Sequence, residues 1–327
     1  MDISDIRSHL SERLGDECVI KDAEMSGLCS FRCGGRAALL VKAEDMDALR
    51  YVLYLIAGAD KMFCPYGNGG SACKSGCSCG TIPYTVIGNG TDILVRDGGY
   101  DGIVIKLGKG FSGAVRKGNR IIAGSAALLS SVARAAASEG LTGMEFASGI
   151  PGSIGGAVFM NAGAYGGEIK DIIRSVKAVS KDGIREYMMD AGELGLSYRH
   201  SIFTETGDII TEAEFELAPG DRSLITEKMK ELSERRNAKQ PLQYPSAGSF
   251  FKRPEGHFAG ALIEEAGLKG LTVGGAAVSE LHAGFIINRG GATATDIINL
   301  MKLIQNVVMD RSGVMLEPEV RIIGKDE

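Results

Sequence analysis

Two glycine-rich segments are the part of this sequence that is best suited to bind a ligand. Residues 147–167 read ASGIPGSIGGAVFMNAGAYGG, with seven glycines and no charged side chain. Glycine lets the main chain approach a bound group closely, and successive main-chain N–H groups can then point at phosphate oxygens. The segment therefore predicts a nucleotide-type cofactor, although tight turns that pack helices against a sheet would use glycines in the same way.

The second glycine segment is the turn GNGTD at residues 88–92, between short apolar runs at residues 84–87 and 93–95. In a Rossmann fingerprint the glycines follow a strand and open a long helix, whereas here a β pattern returns at once. The chain also lacks a GxxxxGK[ST] pattern. A Rossmann NAD site and a P-loop are both disfavoured, which leaves a phosphate-binding turn between strands or an ordinary Asn-Gly hairpin turn.

Three polar clusters could supply anion-binding and acid–base groups: YRHS at residues 198–201, SAGSFFKR at residues 246–253, and EPEVR at residues 317–321. Arg199 and Arg253 carry a planar guanidinium that suits carboxylate or phosphate. Ser249 follows a glycine, where serine is commonly a turn residue, and no GxSxG pattern marks it as an activated nucleophile. Glu319 lies on the polar face of a predicted strand, which is ordinarily solvated unless a cofactor lies nearby.

Composition limits the classes of protein to which the chain can belong. A length of 327 residues predicts two or three domains, and 44% hydrophobic with 24% charged residues is typical of a globular protein. The net charge of −5 argues against a nucleic-acid surface. The N-terminus lacks the apolar core of a signal peptide, and no apolar window of about 18 residues suggests a membrane helix. We therefore expect a cytosolic protein.

The chain has seven cysteines, and an odd number fits a reducing compartment better than a disulfide framework. Four of them fall in the segment CPYGNGGSACKSGCSCG, namely Cys64, Cys73, Cys77 and Cys79. Zinc sites prefer paired C-x2-C spacings, which this segment does not contain. We expect reduced thiols and no bound metal.

Helix and strand patterns alternate along the chain. Apolar residues recur at helical spacing in residues 45–56, 126–138, 224–236 and 259–266, and in a final helix that Thr295 is predicted to cap. Strands are predicted at residues 84–87, 93–95, 103–107, 176–179, 209–217 and 284–288. Pro318 cannot donate to a β ladder, so the last strand, around residues 314–322, is expected to be an edge or bulged strand.

Six ordered motifs resemble the UDP-N-acetylenolpyruvoylglucosamine reductase family of bacterial peptidoglycan synthesis. They are GNGTDILV, GMEFASGIPGSIGGAVFMNAGAYG, YRHSIF, QPLQYPSAGSFFKRP, AGFIIN and LEPEVR, and the resemblance runs from about residue 31 to residue 324. The short stretch from Phe203 to Pro241 is similar to the subclass that lacks an extra substrate-clamping tyrosine loop. The family's usual Ser-Asn after the glycine turn is Thr91-Asp92 in this chain.

The resemblance implies an α+β fold, with a two-lobed FAD-binding region of the vanillyl-alcohol oxidase type and a C-terminal α+β substrate domain. The implied division is residues 1–85 for the first lobe, with the cysteine segment at about 59–80 as an insertion, and 86–219 for the second lobe. Residues 220–312 would form the substrate domain, and residues 313–327 a final strand that returns to the first lobe. A monomer that contacts neither membrane nor nucleic acid is expected.

The resemblance also implies a reaction and the residues that carry it. NADPH would reduce FAD, and UDP-N-acetylglucosamine enolpyruvate would then take the hydride to give UDP-N-acetylmuramate. Arg199 and Glu319 would stabilise the negative charge that develops, and Ser249 would donate the proton. The implied FAD-binding residues are Gly88, Asn89, Gly90, Thr91, Asp92, Ser148, Gly149, Ile150, Gly152, Ser153, Gly155, Gly156, Ala157 and Gly163. The implied substrate-binding residues are Lys239, Lys252, Arg253 and Asn288.

Two other functions remain open at this point. A flavin oxidase of the same fold would keep both glycine segments, but it has no reason to keep Arg199, Ser249 and Glu319 together; oxygen consumption with an alcohol substrate would reveal it. A non-catalytic nucleotide-sugar binder is the third hypothesis, and a colourless purified protein would favour it.

Overall fold

A computed structural model describes residues 2–62 and 82–326 of the chain. The clustered cysteines Cys64, Cys73, Cys77 and Cys79 lie outside these residues. The chain divides into two compact units. The first consists of Met1–Asp22, Ala38–Asn89 and Gly102–Leu232, and the second of Ala23–Ala37, Gly90–Asp101 and Ser233–Glu327. The division into lobes and a substrate domain stays a prediction.

Eight α-helices lie within the described residues. They are α1 (Ile3–Leu14), α2 (Met46–Met62), α3 (Leu129–Ser138), α4 (Ile154–Phe159), α5 (Phe203–Thr206), α6 (Arg222–Lys239), α7 (Ala259–Glu265) and α8 (Ala294–Ser312). The predicted helices correspond to α2, α3, α6, α7 and α8. The predicted cap of α8 was wrong by two residues, because Thr293 and not Thr295 accepts the capping hydrogen bond, from the Asp296 N–H.

Eighteen short strands lie in the same two stretches of chain. The first nine are β1 (Val19–Glu24), β2 (Arg36–Ala43), β3 (Tyr84–Ile87), β4 (Ile93–Val95), β5 (Tyr100–Leu107), β6 (Ala114–Lys117), β7 (Arg120–Gly124), β8 (Leu141–Thr142) and β9 (Gly163–Ala164). The others are β10 (Gly167–Glu168), β11 (Ile173–Val179), β12 (Glu186–Asp190), β13 (Ile209–Glu216), β14 (Ala218–Pro219), β15 (Thr272–Val273), β16 (Ala276–Val278), β17 (Ile286–Asn288) and β18 (Arg321–Ile323).

The first unit contains two hydrophobic cores. In one, α1 and α2 pack on the four-stranded sheet β1-β2-β5-β3, in which β3 and β5 are parallel. In the other, α3 and α4 cover the antiparallel sheet β12-β11-β13-β7-β6. In β11, a central strand of this sheet, only Arg174 and Lys177 are exposed and the other five residues are buried. The glycine segment at residues 147–167 belongs to this second core.

The second unit is built around α8. Its buried stripe, which includes Ile297, Leu300 and Ile304, packs with α7 and the sheet β15-β16-β17. Gly313, at φ 71°, ends α8 in the left-handed conformation that glycine adopts without strain. The Asp97 carboxylate accepts hydrogen bonds from the N–H groups of Ala294 and Thr295, at 2.8 and 2.7 Å, and so adds a second cap to the helix.

The last strand of the chain is shorter than the sequence pattern predicts. Only Arg321–Ile323 forms β18, which pairs in parallel with β4. Before it, Pro318 makes an isolated antiparallel bridge with Phe251. Since proline has no N–H to donate, it limits how far a ladder can run through this segment. Within the two described stretches, none of the helices has the length and apolar character needed to span a bilayer.

Candidate functional site

The two predicted cofactor-binding segments meet in the first unit. A Cβ placed on Gly88 would lie 2.2 Å from the Ser153 Oγ, so a larger residue at this position would displace the Ser153 hydroxyl. The Asn89 Nδ2 donates a hydrogen bond of 2.6 Å to the carbonyl oxygen of Pro151. Ser153 in turn caps α4 by accepting a hydrogen bond of 3.3 Å from the Gly156 N–H. The glycine turn and the glycine segment therefore form one continuous patch of closely spaced main chain.

Some of the glycines have a packing role, as the alternative interpretation of this segment requires. A Cβ on Gly155 would lie 3.0 Å from the Ser125 Cβ, and one on Gly163 would lie 2.8 Å from the Glu168 Cβ. The Gly155 N–H also donates to the Ser125 carbonyl at 2.8 Å. These glycines bring β7, α4 and the following loop close together, and their role in binding the cofactor stays a prediction.

Other predicted residues of the segment are tied to local structure. The Ser148 Oγ donates to the Glu145 carbonyl at 2.8 Å, and the Ile150 N–H donates to the Ala147 carbonyl at 3.1 Å. The Gly152 carbonyl accepts from the Leu129 N–H at 3.0 Å, while Ala157 is 3% exposed inside the core. These contacts fix the course of the segment, which has Gly149 at its half-buried surface.

The main chain around Gly88 and residues 151–153 fits the diphosphate of FAD. Glycine removes the side chain that would keep a phosphate away, and residues 149–153 of the segment contain no carboxylate. The Asn89 side chain ties the glycine turn to Pro151 of the glycine segment.

The rest of the glycine turn, residues 90–92, belongs to the second unit. Gly90 has φ +65°, and a Cβ on it would lie 1.9 Å from the Leu28 carbonyl oxygen. Its own carbonyl accepts a hydrogen bond of 2.9 Å from the Ser30 N–H. Thr91 leads to Asp92, whose carbonyl accepts from the Arg321 N–H at 3.1 Å, so the turn runs directly into the β4–β18 pair.

Replacing Gly90 with alanine is expected to destabilise the second unit more than replacing Gly267, whose φ is +72° with nothing within 4 Å of its Cβ position. Both substitutions carry the left-handed backbone cost of about 1–2 kcal/mol. Gly90→Ala adds an overlap with the Leu28 carbonyl that should cost a further ~1–3 kcal/mol. Urea unfolding midpoints of the two variants measure the difference, and equal shifts would show that the turn has room for a side chain.

Ser249 and Glu319 lie on two segments that pair with each other in the second unit. The Glu319 N–H donates to the Phe250 carbonyl at 2.8 Å, and the Lys252 N–H donates to the Glu317 carbonyl at 2.8 Å. Ser249 is exposed and comes directly before Phe250, while Glu319 is half-buried. Gly248, at φ +78°, makes the bend that leads into this ladder. The fold thus places a serine and a glutamate on two paired segments, although they are 70 residues apart in the numbering.

Arg199 lies in the first unit, at the corner of a tight turn. Ser197 and His200 exchange two main-chain hydrogen bonds of 3.2 Å across it. Arg199 has φ 55°, a left-handed conformation that is uncommon for residues other than glycine and is concentrated at functional sites. Its guanidinium carbon lies 5.0 Å from the centre of the Tyr198 ring.

The four predicted substrate-binding residues belong to the second unit and differ in their surroundings. Lys239 is exposed at the end of α6, and the Lys252 Nζ lies 3.4 Å from the Glu317 Oε2. The Arg253 guanidinium stacks 4.0 Å from the centre of the Phe258 ring, which is itself exposed. These three remain predictions as ligands of a diphosphate.

Asn288 differs from the other three because its amide is engaged inside the protein. It is 5% exposed, its Nδ2 donates to the Phe31 carbonyl at 2.9 Å, and its Oδ1 accepts from the N–H groups of Gly290 and Ala292. These contacts tie the Asn288 side chain to the main chain of Phe31 and of residues 290–292. A role in substrate binding stays a prediction for Asn288, and it would require the amide to exchange some of these bonds.

The buried thiols of the second unit are unsuited to act as nucleophiles. Burial raises the pKa of Cys33 to about 12, and it also raises the pKa of Cys29. The Cys29 Sγ donates to the Cys33 carbonyl at 3.1 Å. Because the thiolate is the reactive form, both cysteines are inert near neutral pH.

Sequence reasoning missed three polar residues that organise these segments: Asn161, Ser201 and Asp97. Asn161 and Ser201 are both 0% exposed, and Asp97 caps α8. A signal for Asn161 was present, since it is an amide in a segment that is otherwise apolar and rich in glycine. Ser201 and Asp97 have no sequence signal that separates them from ordinary turn residues.

Two family models match the chain. The model described as FAD binding domain matches residues 77–186, and the model described as UDP-N-acetylenolpyruvoylglucosamine reductase, C-terminal domain, matches residues 240–323. The first match includes both glycine segments, and the second includes Ser249 and Glu319. The expected α+β fold with an FAD-binding region is confirmed, and a distinct C-terminal domain follows that region.

Relatives match the chain over almost its whole length. A UDP-N-acetylenolpyruvoylglucosamine reductase of Clostridium botulinum is 45% identical over 96% of this chain and 95% of its own, and one of Clostridium perfringens is 44% identical over 97% of each. The crystal structure of the reductase from Thermus caldophilus matches with a TM-score of 0.75 and 32% identity, over 94% of this chain and 98% of that one. The chain therefore belongs to the UDP-N-acetylenolpyruvoylglucosamine reductase family.

Proposed function

We propose that this protein is an FAD enzyme that uses NADPH to reduce the enolpyruvyl group of UDP-N-acetylglucosamine enolpyruvate to UDP-N-acetylmuramate, a step of peptidoglycan synthesis. The observation that carries the proposal is the identity of 45% over 96% of the chain to a relative named for this reductase activity. The flavin oxidase and the non-catalytic binder are not favoured, since the relatives that match nearly the whole chain are reductases.

FAD, when bound, would supply the two-electron chemistry that links oxidation of NADPH to reduction of the enolpyruvyl double bond. The residues that hold it are the predicted set in the glycine turn and the glycine segment. Gly88 and Asn89, packed on Pro151 and Ser153, present main chain to the diphosphate. The glycines and alanines of the segment carry no bulky side chain that would obstruct the same surface.

Arg199 and Glu319 act on the charge that appears in the substrate. Addition of hydride to the β-carbon pushes an electron pair onto the α-carbon and its carboxylate, and this step is unfavourable unless donors are already in place. The guanidinium of Arg199 offers a planar pair of donors that matches a carboxylate. Glu319, in its protonated form, donates a hydrogen bond to the same group.

Ser249 completes the reaction by giving its hydroxyl proton to the α-carbon. A serine hydroxyl is a weak acid in water, but a carbanion-like carbon is a strong base and the two groups are held in one oriented complex. The exposed position of Ser249 leaves its hydroxyl accessible to a substrate. Lys239, Lys252 and Arg253 supply positive charge for the UDP diphosphate.

A product assay tests the proposed function. The purified holoenzyme is incubated without oxygen with NADPH and UDP-N-acetylglucosamine enolpyruvate, and the product is analysed by mass spectrometry and NMR. We expect one NADPH to be consumed for each UDP-N-acetylmuramate formed. Flavin reduction without any change in the sugar nucleotide, together with oxygen consumption on an alcohol, would instead identify an oxidase. A monomeric state and the absence of nucleic-acid binding remain predictions.

A further inference from the structure

The turn that carries Arg199 is held from one side by a single buried amide. Asn161 is 0% exposed and has φ 46°. Its Nδ2 donates to the Ser197 carbonyl at 3.0 Å and to the Glu168 Oε2 at 2.7 Å, and its Oδ1 accepts from the Lys170 N–H at 2.9 Å. Both amide protons and the amide oxygen are therefore used, and one of these bonds ends on the first residue of the turn.

The other side of the turn is held by a buried hydroxyl. Ser201 is 0% exposed, and its Oγ donates a hydrogen bond of 2.6 Å to the Phe159 carbonyl. Ser197 and Ser201 flank Arg199 at a distance of two residues on each side. Their partners, Asn161 and Phe159, are likewise two residues apart, at the end of α4 and just after it.

Two bonds thus fix the corner at Arg199 to residues 159–161, inside the glycine segment. Buried polar groups with defined partners lock one geometry, because any other arrangement would leave them without hydrogen bonds. The left-handed φ values of Asn161 and Arg199 persist only where the surroundings determine the backbone closely. The same short segment therefore sets both the course of the proposed flavin-binding main chain and the position of the arginine.

We propose that Asn161 and Ser201 are positioning residues, which hold Arg199 in register with the glycine segment and enter the second half-reaction only through that arginine. The proposal rests on the role of Arg199 given under Proposed function. Because both side chains are fully buried and bonded within the protein, they act without touching the substrate.

Two variants test the proposal in the holoenzyme, by stopped-flow measurement of the flavin absorbance. Asn161→Gly keeps the left-handed backbone while removing the amide, and Ser201→Ala removes only the hydroxyl. For each, we expect flavin reduction by NADPH to stay near the wild-type rate. Reoxidation by the enolpyruvyl substrate should slow by about 100-fold, the effect expected when a catalytic group is displaced by about 1 Å.

Tyr187→Phe is the control for a general loss of stability. It removes a hydroxyl that donates to the Asp208 carboxylate in the same unit, a hydrogen bond in which no residue of the turn takes part. Tyr187→Phe should leave the reoxidation rate unchanged, even if it lowers the melting temperature as much as Asn161→Gly and Ser201→Ala do. If Asn161→Gly does not fold, Ser201→Ala alone tests the proposal. A normal reoxidation rate in Ser201→Ala would then overturn it.

A double-mutant cycle separates this proposal from the proposed function. In an Arg199→Ala background, Asn161→Gly should cause little further loss, because its effect passes through the missing side chain. A full additional loss would show that Asn161 acts on something else and would overturn the proposal. If Arg199→Ala alone reoxidises at the normal rate, the assigned role of the arginine is wrong, and the positioning proposal falls with it.

Discussion

The Ser249→Ala variant is expected to reduce its flavin with NADPH at the normal rate and to lose turnover of the enolpyruvyl substrate. Removal of a general acid costs about 10²–10⁴-fold in rate, and the hydroxyl of Ser249 is the proposed donor of the α-carbon proton. Stopped-flow absorbance of the flavin measures both half-reactions separately. Ser249 is exposed beside the Phe250–Glu319 pairing, so the substitution leaves the hydrogen bonds of that ladder in place.

A matched serine elsewhere provides the control for Ser249. Ser138→Ala removes an exposed hydroxyl at the end of α3, which donates a hydrogen bond of 2.8 Å to the Ala135 carbonyl, and both half-reactions should be unaffected. Turnover in deuterated water adds an independent readout, since wild-type product should carry deuterium at the α-carbon. Reoxidation of Ser249→Ala at the wild-type rate would remove the serine from the mechanism.

The second large effect is expected for Arg199→Lys. The substitution keeps the positive charge but replaces a planar pair of donors by a point charge, which fits a carboxylate less well. Loss of one preorganised donor to a developing anion costs about 10²–10³-fold in rate, so reoxidation by substrate should fall by that factor. The backbone φ of 55° is equally uncommon for arginine and lysine, so the comparison isolates the head group.

Arg116→Lys is the control for the loss of a guanidinium. Arg116 is exposed in β6 and pairs with Glu139 at 2.8 Å, so its replacement should change neither half-reaction. The measurement is again the reoxidation rate, read at several substrate concentrations to separate binding from chemistry. A normal reoxidation rate in Arg199→Lys would show that the arginine does not stabilise the charge that develops on the substrate.

The elements that the sequence predicted best are those whose ends are marked by turn residues such as glycine. β3 and β4 match the predicted runs at residues 84–87 and 93–95, because the glycine turn between them marks both boundaries. The ends of helices and strands that depend on tertiary contacts were predicted less well from the sequence. The predicted helix ends at residue 56, just before Gly58, yet α2 continues to Met62. A single glycine lowers helix propensity by only about 1 kcal/mol, which the neighbouring helical residues can outweigh.

The residues of the candidate site also differ in how well the sequence predicted them. The glycine segments pointed to a phosphate-binding main chain by physical argument alone, and the structure brings Gly88 and Ser153 together. Ser249 and Glu319 gained their roles only through the family resemblance, because a serine after glycine and a carboxylate on an outer strand face are ordinary surface features. Asn161 was not predicted, since its role depends on hydrogen bonds to residues up to 36 positions away.

Anaerobic spectroscopy of the purified protein tests the central claim most directly, which is that bound FAD carries hydride from NADPH to an enolpyruvyl sugar nucleotide. The protein should show the absorbance of oxidised flavin, lose it when NADPH is added, and regain it when UDP-N-acetylglucosamine enolpyruvate follows. A protein without flavin absorbance, or a reduced flavin that the enolpyruvyl substrate fails to reoxidise, would contradict the account.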